Sequence, residues 1–209
     1  MMLSIDELKL KFQQPLPGTT SQLKMAPEHR AFELLEGDKM LSFAKQSAVM
    51  ILLFPENGQL KTVFIKRSES DGFHSGQIAF PGGQFEKTDK NFQATALRET
   101  FEEIGVEPTK IEIIGQLTDL YIPPSNFLVK VFVGYCSEKS DYTLDKNEVQ
   151  SIIEINIEDF YRENVIFEKE FVSSAKNIKR LAPYFSLNNI EIWGATAMIV
   201  SELLDVLHN

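Results

Sequence analysis

The chain has 209 residues, of which 43% are hydrophobic and 24% charged, as is typical of one folded domain with an extension. Its formal net charge of −9 argues against nucleic acid as a partner, because phosphate backbones are bound by clustered Lys and Arg. The apolar run from Ala48 to Phe54 is too short to span a bilayer, and the first residues lack the regions of a signal peptide. We therefore expect a cytoplasmic protein with no membrane partner.

The first part of the chain has a weaker pattern than the rest. Residues 4–12 fit a short amphipathic helix, in which Ser4 and Glu7 would form a capping box. We predict that residues 1–36 are an N-terminal helix and arm packed on a domain of residues 37–209. The arm could contact a second copy, which leaves a homodimer open.

Strand-like runs and turn signals follow one another through the domain. Residues 47–54 and 60–66 predict a β-hairpin, because Pro55-Glu56-Asn57-Gly58 between them favours a turn. Further strands are predicted at 111–117, 127–136 and 152–157, a loop at 121–126, an undecided hairpin at 167–184 and a closing helix at 193–207. Strands on both sides of a central helix predict an α/β fold, with helices on both faces of a mixed sheet.

The central helix carries three carboxylates after a glycine-rich turn, Phe80-Pro81-Gly82-Gly83. Glu99, Glu102 and Glu103 stand at i, i+3 and i+4 and so share one helix face, and Gly105 predicts the helix end. The residues predicted for the opposite, core face are Ala94, Leu97, Phe101 and Ile104.

Three neighbouring glutamates repel one another unless a cation neutralises them. Hard divalent cations such as Mg²⁺ take oxygen ligands and bind through carboxylates together with substrate phosphates. Arg98 lies four residues before Glu102 and could hold it in place by an ion pair. The alternative is a solvated acidic helix face with ordinary ion pairs.

Two segments then resemble a known family. Arg98-Glu99 through Glu102-Glu103 to Gly105-Val106 resembles the end of the Nudix box, G-x5-E-x7-R-E-U-x-E-E-x-G-U with U apolar. Asp89 stands near the position of the first glutamate, and eight residues instead of seven separate it from Arg98.

The upstream segment narrows the resemblance to one branch of the family. Arg67-Ser68, Gly76 and Phe80-Pro81-Gly82-Gly83 resemble the additional motif of the coenzyme A pyrophosphatases, L-L-T-x-R-S/A-x3-R-x3-G-x3-F-P-G-G. Gly72 stands where that motif has its second arginine.

The resemblance implies a Nudix-type α/β/α sandwich and a Mg²⁺- or Mn²⁺-dependent pyrophosphohydrolase. The small nucleotide-type substrate would be coenzyme A or acyl-coenzyme A, and the products 4′-phosphopantetheine or its acyl form and adenosine 3′,5′-bisphosphate. Two alternatives stay open. One is a Nudix hydrolase of ADP-ribose, NADH or a dinucleoside polyphosphate, which Gly72 favours, and the other is a non-catalytic binding module with the same fold.

Roles for individual residues follow from the same resemblance and from side-chain chemistry. The expected metal ligands are Glu99, Glu103, Glu102 and a backbone carbonyl at Gly83. Arg98, Glu102 and Glu148 are the expected catalytic residues, with Glu148 a loop glutamate that could bind metal, act as a base or merely face solvent. Arg67 could clamp a phosphate through its planar guanidinium. The expected substrate-binding residues are Arg67, Ser68, His74 and Gln77.

Overall fold

The computed structural model describes residues 3–27, 30, 41–68, 76–173 and 178–208. Its helices and strands, in chain order, are α1 (Ile5–Phe12), α2 (Thr19–Leu23), β1 (Lys45–Glu56), β2 (Gln59–Arg67), β3 (Ile78–Ala79), β4 (Gly82–Gln84), α3 (Phe92–Ile104), β5 (Glu112–Gln116), β6 (Leu120–Ile122), β7 (Phe127–Tyr135), β8 (Val149–Asn156), β9 (Ile166–Ser173), β10 (Ile178–Leu187), β11 (Ile190–Trp193) and α4 (Gly194–His208). None of the helices in these ranges is long and apolar enough to cross a membrane.

A mixed sheet organises the molecule around β1. This strand pairs in parallel with β7 and antiparallel with β2 and β4. On one side β2 also pairs with β3 and β8, and on the other side β7 pairs with β5 and β6. Asn57 and Gly58 join β1 to β2 with φ values of 52° and 74°, the left-handed conformation of a two-residue hairpin turn. The predicted hairpin is confirmed.

Successive residues of β1 enter two different hydrophobic cores. Side chains alternate between the faces of a sheet, so Ile51 and Leu53 pack in the core beneath α4, whereas Met50 and Leu52 pack in the core beneath α3. All four side chains are at most 1% exposed. Helices therefore cover both faces of a mixed sheet, and the predicted α/β/α sandwich is confirmed.

The second sheet contains β9, β10 and β11 in antiparallel order. The hairpin left undecided at 167–184 is therefore present, with β9 and β10 as its strands. The predicted closing helix begins one residue later than expected, at Gly194, because Trp193 belongs to β11. Ile192 of the same strand is fully buried and enters the core beneath α4. On the other face of this sheet Phe171 stacks on Trp193, with ring centroids 4.2 Å apart.

Helix α1 has the predicted N-terminal cap, and α2 is hydrogen-bonded to α4. In α1 the predicted capping box is confirmed, since the Ser4 N–H donates to Glu7 at 2.7 Å and the Glu7 N–H donates back to the Ser4 hydroxyl at 3.3 Å. In α2 the Gln22 amide donates to Glu202 of α4 at 2.9 Å. Residues 31–40 lie outside the described ranges, so the division at residue 36 stays a prediction.

Helix α3 begins after Asn91, whose side chain accepts the Ala94 N–H at 2.8 Å, and ends as predicted at Gly105, with a φ of 75°. Its predicted core face is wrong at Phe101, which is 44% exposed. Glu103 is only 1% exposed, because this side of the helix turns toward the glycine-rich loop. The buried face of α3 therefore contains a carboxylate where the pattern predicted only apolar side chains.

The predicted loop at 121–126 is also wrong at its start. Tyr121 and Ile122 lie in β6, where they pair with Leu128 and Phe127 of β7. Tyr121 is 7% exposed, so its burial outweighs the turn tendency of the prolines that follow.

Candidate active site

The glycine-rich loop approaches the rest of the molecule so closely that side chains do not fit. Gly82 pairs with Val49 of β1 and has a φ of 153°, and a Cβ there would lie 2.4 Å from the carbonyl oxygen of Ala48. A Cβ on Gly83 would lie 2.4 Å from the carboxyl carbon of Glu99. Gly82 therefore requires glycine, whereas at Gly83 the obstacle is the movable end of the Glu99 side chain, so the backbone of Gly83 lies directly against a carboxylate of α3.

Glu103 is the most buried carboxylate of this site. It is 1% exposed, accepts the Gly82 N–H at 2.8 Å and accepts Nη1 of Arg67 at 3.3 Å. Burial raises the pKa of Glu103 to about 7, with further contributions from the charges of Glu99 and Glu148, although Gly82 and Arg67 act in the opposite direction. The local structure thus holds less positive charge than its carboxylates need.

Glu99 lies one helical turn before Glu103 and belongs to the same cluster. Its Oε1 accepts Nη1 of Arg98 at 2.8 Å. Burial is the main cause that raises the pKa of Glu99, and the charges of Glu102 and Glu148 add to it, whereas Arg98 lowers it. The charge of Glu148 therefore acts on both Glu99 and Glu103.

Arg98 is fully occupied by its own neighbours. Its Nε and Nη2 donate to the two oxygens of Asp89 at 2.9 and 3.0 Å, and Nη2 also donates to the carbonyl of Gln84 at 3.2 Å. Its Nη1 donates to Glu99 and Glu102, both at 2.8 Å, so the predicted pairing with Glu102 is confirmed. These contacts favour a positioning role, and the predicted catalytic role stays untested.

The three glutamates of α3 do not converge on one point. The Glu102 side chain is 54% exposed and turns outward to Arg98. Within the part of the chain that the structure describes, no group of three or more Asp, Glu, His or Cys side chains is already arranged to hold a metal ion. Glu99 and Glu103, with the adjacent backbone of Gly83, nevertheless offer the oxygen ligands that a hard divalent cation takes, and their shortage of positive charge fits such a group. The predicted ligand set stays a prediction.

The loop that carries Glu148 is bonded to the end of α3. The Thr143 N–H donates to the carbonyl of Ile104 at 2.9 Å, and the Asp145 N–H donates to the carbonyl of Glu103 at 3.2 Å. Because carbonyls at a helix end lack partners within the helix, the loop satisfies them and is held there. This explains how Glu148, 45 positions after Glu103 in the sequence numbering, comes close enough for its charge to affect Glu103.

The residues predicted to bind substrate are only partly brought together. The Arg67 N–H donates to the carbonyl of Gln77 at 3.0 Å, and the guanidinium of Arg67 reaches Glu103. Ser68 follows Arg67 but makes its hydrogen bonds to the Glu148 loop. His74 lies outside the described residues, as does Gly72.

Sequence reasoning assigned no role to Asp145 and none to Asp89. The signal for Asp145 was present, because Asp145-Lys146-Asn147 has the spacing of an Asx turn. The signal for Asp89 was its place in the Nudix-like spacing before Arg98.

The family model that matches this chain is described as "NUDIX domain" and covers residues 44–175. Since this is more than half of the chain, the protein belongs to the Nudix family, as the sequence resemblance indicated. The prediction that the chain belongs to the Nudix family is confirmed. Nudix hydrolases generally use divalent metal ions.

Several curated proteins are similar to the chain. "Nudix hydrolase 22, chloroplastic" of Arabidopsis thaliana is 30% identical over 173 residues, which are 78% of this chain and 56% of that protein. "Peroxisomal coenzyme A diphosphatase NUDT7" of Mus musculus is 28% identical over 130 residues, 62% of this chain and 55% of that protein. "Uncharacterized Nudix hydrolase NudL" of Pectobacterium atrosepticum is 30% identical over 162 residues, 76% of this chain and 81% of that protein. The chain thus spans little more than half the length of the plant and mouse relatives.

Solved structures show the same fold at low identity. The NUDIX domain of Shewanella oneidensis NrtR superposes with a TM-score of 0.54 at 15% identity, over 85% of this chain and 97% of that one. The MutT protein from Methanosarcina mazei has a TM-score of 0.51 at 18% identity, over 79% of this chain and 95% of that one. These likenesses bear on the fold alone.

Proposed function

We propose that this protein is a Mg²⁺- or Mn²⁺-dependent hydrolase that cuts the pyrophosphate of coenzyme A or acyl-coenzyme A. Water adds to one phosphorus, the P–O–P bridge breaks at that phosphorus, and the other phosphate leaves with the bridging oxygen. The products are 4′-phosphopantetheine, or its acyl form, and adenosine 3′,5′-bisphosphate. The name of the mouse relative, a coenzyme A diphosphatase, supports this substrate class.

The observation that carries the proposal is the place of Arg67 beside Glu103. Arg67 belongs to the segment that resembles the coenzyme A motif, and its Nη1 lies 3.3 Å from Glu103. Its side chain remains 31% exposed, so the guanidinium lies at the edge of the carboxylate cluster. A planar guanidinium there suits an incoming phosphate, which the negative charge of the protein would otherwise repel.

The residues of the cluster have different roles in the proposed reaction. Glu99 and Glu103, with the carbonyl of Gly83, would hold the cation, and Glu148 would join them as a ligand or accept a proton from the attacking water. When bound, a divalent cation supplies charge stabilisation at a phosphoryl oxygen and lowers the pKa of a coordinated water. Arg98 would keep Glu99 oriented, because its donors are used by Asp89, Gln84, Glu99 and Glu102.

A second candidate is hydrolysis of another nucleoside diphosphate derivative. Gly72 replaces the second arginine of the coenzyme A motif, which removes one of the two expected cations. ADP-ribose lacks the 3′-phosphate of coenzyme A and needs fewer cations. The solved Shewanella domain is described as complexed with ADP ribose, which makes this compound a suitable competitor in the test.

The test is kcat/KM for coenzyme A, 3′-dephospho-coenzyme A, ADP-ribose, NADH and a dinucleoside polyphosphate, with Mg²⁺ and with Mn²⁺. We expect coenzyme A to be cut best, because a substrate without the 3′-phosphate leaves a basic side chain unpaired. Equal rates with ADP-ribose would contradict the coenzyme A assignment but not the hydrolase. Equal rates with the dephospho form, both above ADP-ribose, would mean that the pantetheine arm carries selectivity. No turnover of any substrate would favour a binding module.

We also propose that the protein is cytoplasmic. The words chloroplastic and mitochondrial in the names of two Arabidopsis relatives describe those proteins.

A further inference from the structure

We infer that Ser68 and Asp145 are positioning residues, which together set the backbone of Glu148 against the carboxylates of α3. The inference rests on the proposed metal-dependent hydrolysis, because Glu148 has a catalytic task only in that reaction. It gives Ser68 a different role from the predicted contact with substrate, and it assigns a role to Asp145 for the first time.

Ser68 fastens the Glu148 loop to the end of β2. Its N–H donates to the carbonyl of Glu148 at 2.8 Å, and its hydroxyl donates to the carbonyl of Lys146 at 3.2 Å. Both donors of Ser68 are thus used on the loop backbone. The residue before it, Arg67, contacts Glu103 through its side chain, so one short segment reaches both the loop and the carboxylate cluster.

The pairing of β2 with β8 changes register at the same place. Lys66 pairs with Ser151, whereas Arg67 pairs with Val149, so residue 150 is skipped between the two partners. An irregularity of this kind bends the strand and redirects the side chains beside it. Glu148 immediately precedes the first residue of β8, so its position depends on how the chain is held at this irregular end.

Asp145 fastens the same loop to α3. Its N–H donates to the carbonyl of Glu103 at 3.2 Å, and its own carbonyl accepts the N–H groups of Glu148 at 3.1 Å and Val149 at 2.8 Å. Its carboxylate accepts the backbone N–H and the side-chain amide of Asn147, both at 2.9 Å. Two successive hydrogen bonds through Asp145 therefore connect the backbone of Glu103 with the backbone of Glu148.

Glu148 needs such support because its own side chain is exposed. An exposed carboxylate is directed mainly by its backbone, and a displacement of about 1 Å from the reacting position can cost up to about 10²-fold in rate. The hydrogen bonds from Glu148 to Asp145 and from Asp145 to Glu103 place the Glu148 backbone beside the cluster. The two fastenings thus act on the residue with the least support of its own.

The test compares Ser68→Ala, which removes the hydroxyl bond to Lys146, and Asp145→Ala, which removes the carboxylate that accepts from Asn147 and so supports the turn, with conservative and distant controls. The backbone hydrogen bonds of both residues do not depend on their side chains. Ser68→Thr keeps the hydroxyl, and Asp145→Asn keeps an acceptor for the turn. Ser137→Ala and Asp141→Ala remove the same groups from exposed positions of the same connection between β7 and β8. We expect both alanine variants at the fastenings to lower kcat about tenfold at unchanged KM, and Ser68→Thr and Asp145→Asn to recover most of that loss. Ser137→Ala and Asp141→Ala should stay near the wild-type kcat.

A second measurement separates positioning through Glu148 from general damage to the fold. In a Glu148→Gln background, Asp145→Ala and Ser68→Ala should lower the residual kcat little further, because residues that act through one group are not additive. Equal losses with and without Glu148 would overturn the inference, as would a raised KM with normal kcat for Ser68→Ala, which would return Ser68 to substrate binding. Normal kinetics of both alanine variants in an active enzyme would overturn it too. If the wild-type protein cuts no pyrophosphate, the proposed function fails first and the inference with it.

Discussion

Two buried glutamates on opposite faces of the sheet have contrasting surroundings. Glu103 of α3 and Glu202 of α4 are 1% and 0% exposed. Glu202 accepts hydrogen bonds from two uncharged donors, the Gln22 amide at 2.9 Å and the Thr118 N–H at 3.1 Å. Glu103 accepts the Gly82 N–H at 2.8 Å, but it also lies close enough to Glu99 and Glu148 for their charges to act on it.

The comparison shows that burial alone does not identify a functional carboxylate. Burying a charge is costly unless it is hydrogen-bonded, and both glutamates are hydrogen-bonded. What distinguishes Glu103 is the crowding of like charges, which lowers local stability. Such crowding is typical of sites where a cation or a proton transfer is needed. Glu202 instead links α2, the connection between β5 and β6, and α4, which is a structural task.

The largest expected effect is on catalysis. Replacing Glu103 by Gln keeps the shape and an acceptor for the Gly82 N–H but removes a charge and a metal ligand. We expect kcat to fall by about 10²-fold or more, the scale observed when an electrostatic catalytic group is removed. Without metal the free energy of unfolding should not fall, since one like charge has left the cluster. Steady-state kinetics and urea titration measure the two quantities.

A near-normal kcat for Glu103→Gln would contradict its assignment as a metal ligand. Glu102→Gln is the matched control, because Glu102 lies on the same helix and its side chain is 54% exposed. If Glu102→Gln lowers kcat as much as Glu103→Gln, the exposed Glu102 is as important for catalysis as the buried Glu103.

The next effect is on stability and concerns the other glutamate. Replacing Glu202 by Ala leaves the Gln22 amide and the Thr118 N–H without their acceptor in a buried place. We expect the free energy of unfolding to fall by about 1–3 kcal/mol, the cost of buried donors left unpaired. The kcat of the folded variant should be unchanged, because Glu202 lies on the face of the sheet opposite to α3. A loss of kcat in a fully folded Glu202→Ala protein would contradict a purely structural role for Glu202.

The fold could be predicted from the sequence where local patterns decide. The strand of the apolar run in β1, the Asn57-Gly58 turn and the stop at Gly105 each depend on neighbours in sequence, and each is confirmed. The predicted core face of α3 failed because a helical pattern shows which residues share a face but not what that face meets. Phe101 is exposed since the glycine-rich loop, and not an apolar surface, covers the side of α3 that contains Glu103.

The site was predictable as residue types but not as contacts. The glutamates of α3 and the glycine pair stood out by their spacing. The inward turn of Glu103 depends on the Gly82 N–H and on Arg67, and the fastening of Glu148 depends on where the loop at 143–148 returns. Such long-range contacts leave no periodic signal, so the sequence could indicate Glu148 only through the family resemblance.

Metal binding should also distinguish Glu103 from Glu202, by a smaller effect on stability. A ligand that binds only the folded state stabilises it by about 1.4 kcal/mol when its free concentration is ten times its Kd. We expect Mg²⁺ to raise the Tm of the chelator-treated wild-type protein and of Glu202→Ala by similar amounts, and that of Glu103→Gln by much less. Thermal melts at constant ionic strength check this, and activity should vanish in excess chelator. An equal rise in all three proteins, or full turnover in chelator, would contradict a metal site at Glu103.

The smallest expected effect concerns Asp89, whose electrostatic situation is opposite to that of Glu103. Arg98 is the main cause that lowers the pKa of Asp89, to about 2 from a usual value near 3.8. A carboxyl with a depressed pKa stabilises the fold above its unfolded pKa, and this contribution is lost as the pH falls from about 4 to about 2. Asp89→Asn should therefore be less stable than the wild type near pH 5 by about 1 kcal/mol, the upper range for partly exposed ion pairs. Because both proteins share every other titrating group, including Glu103, the gap isolates Asp89. Urea titrations should show that it shrinks toward zero as the pH approaches 2, and a gap that stays constant would mean that the charge of Asp89 contributes nothing to stability.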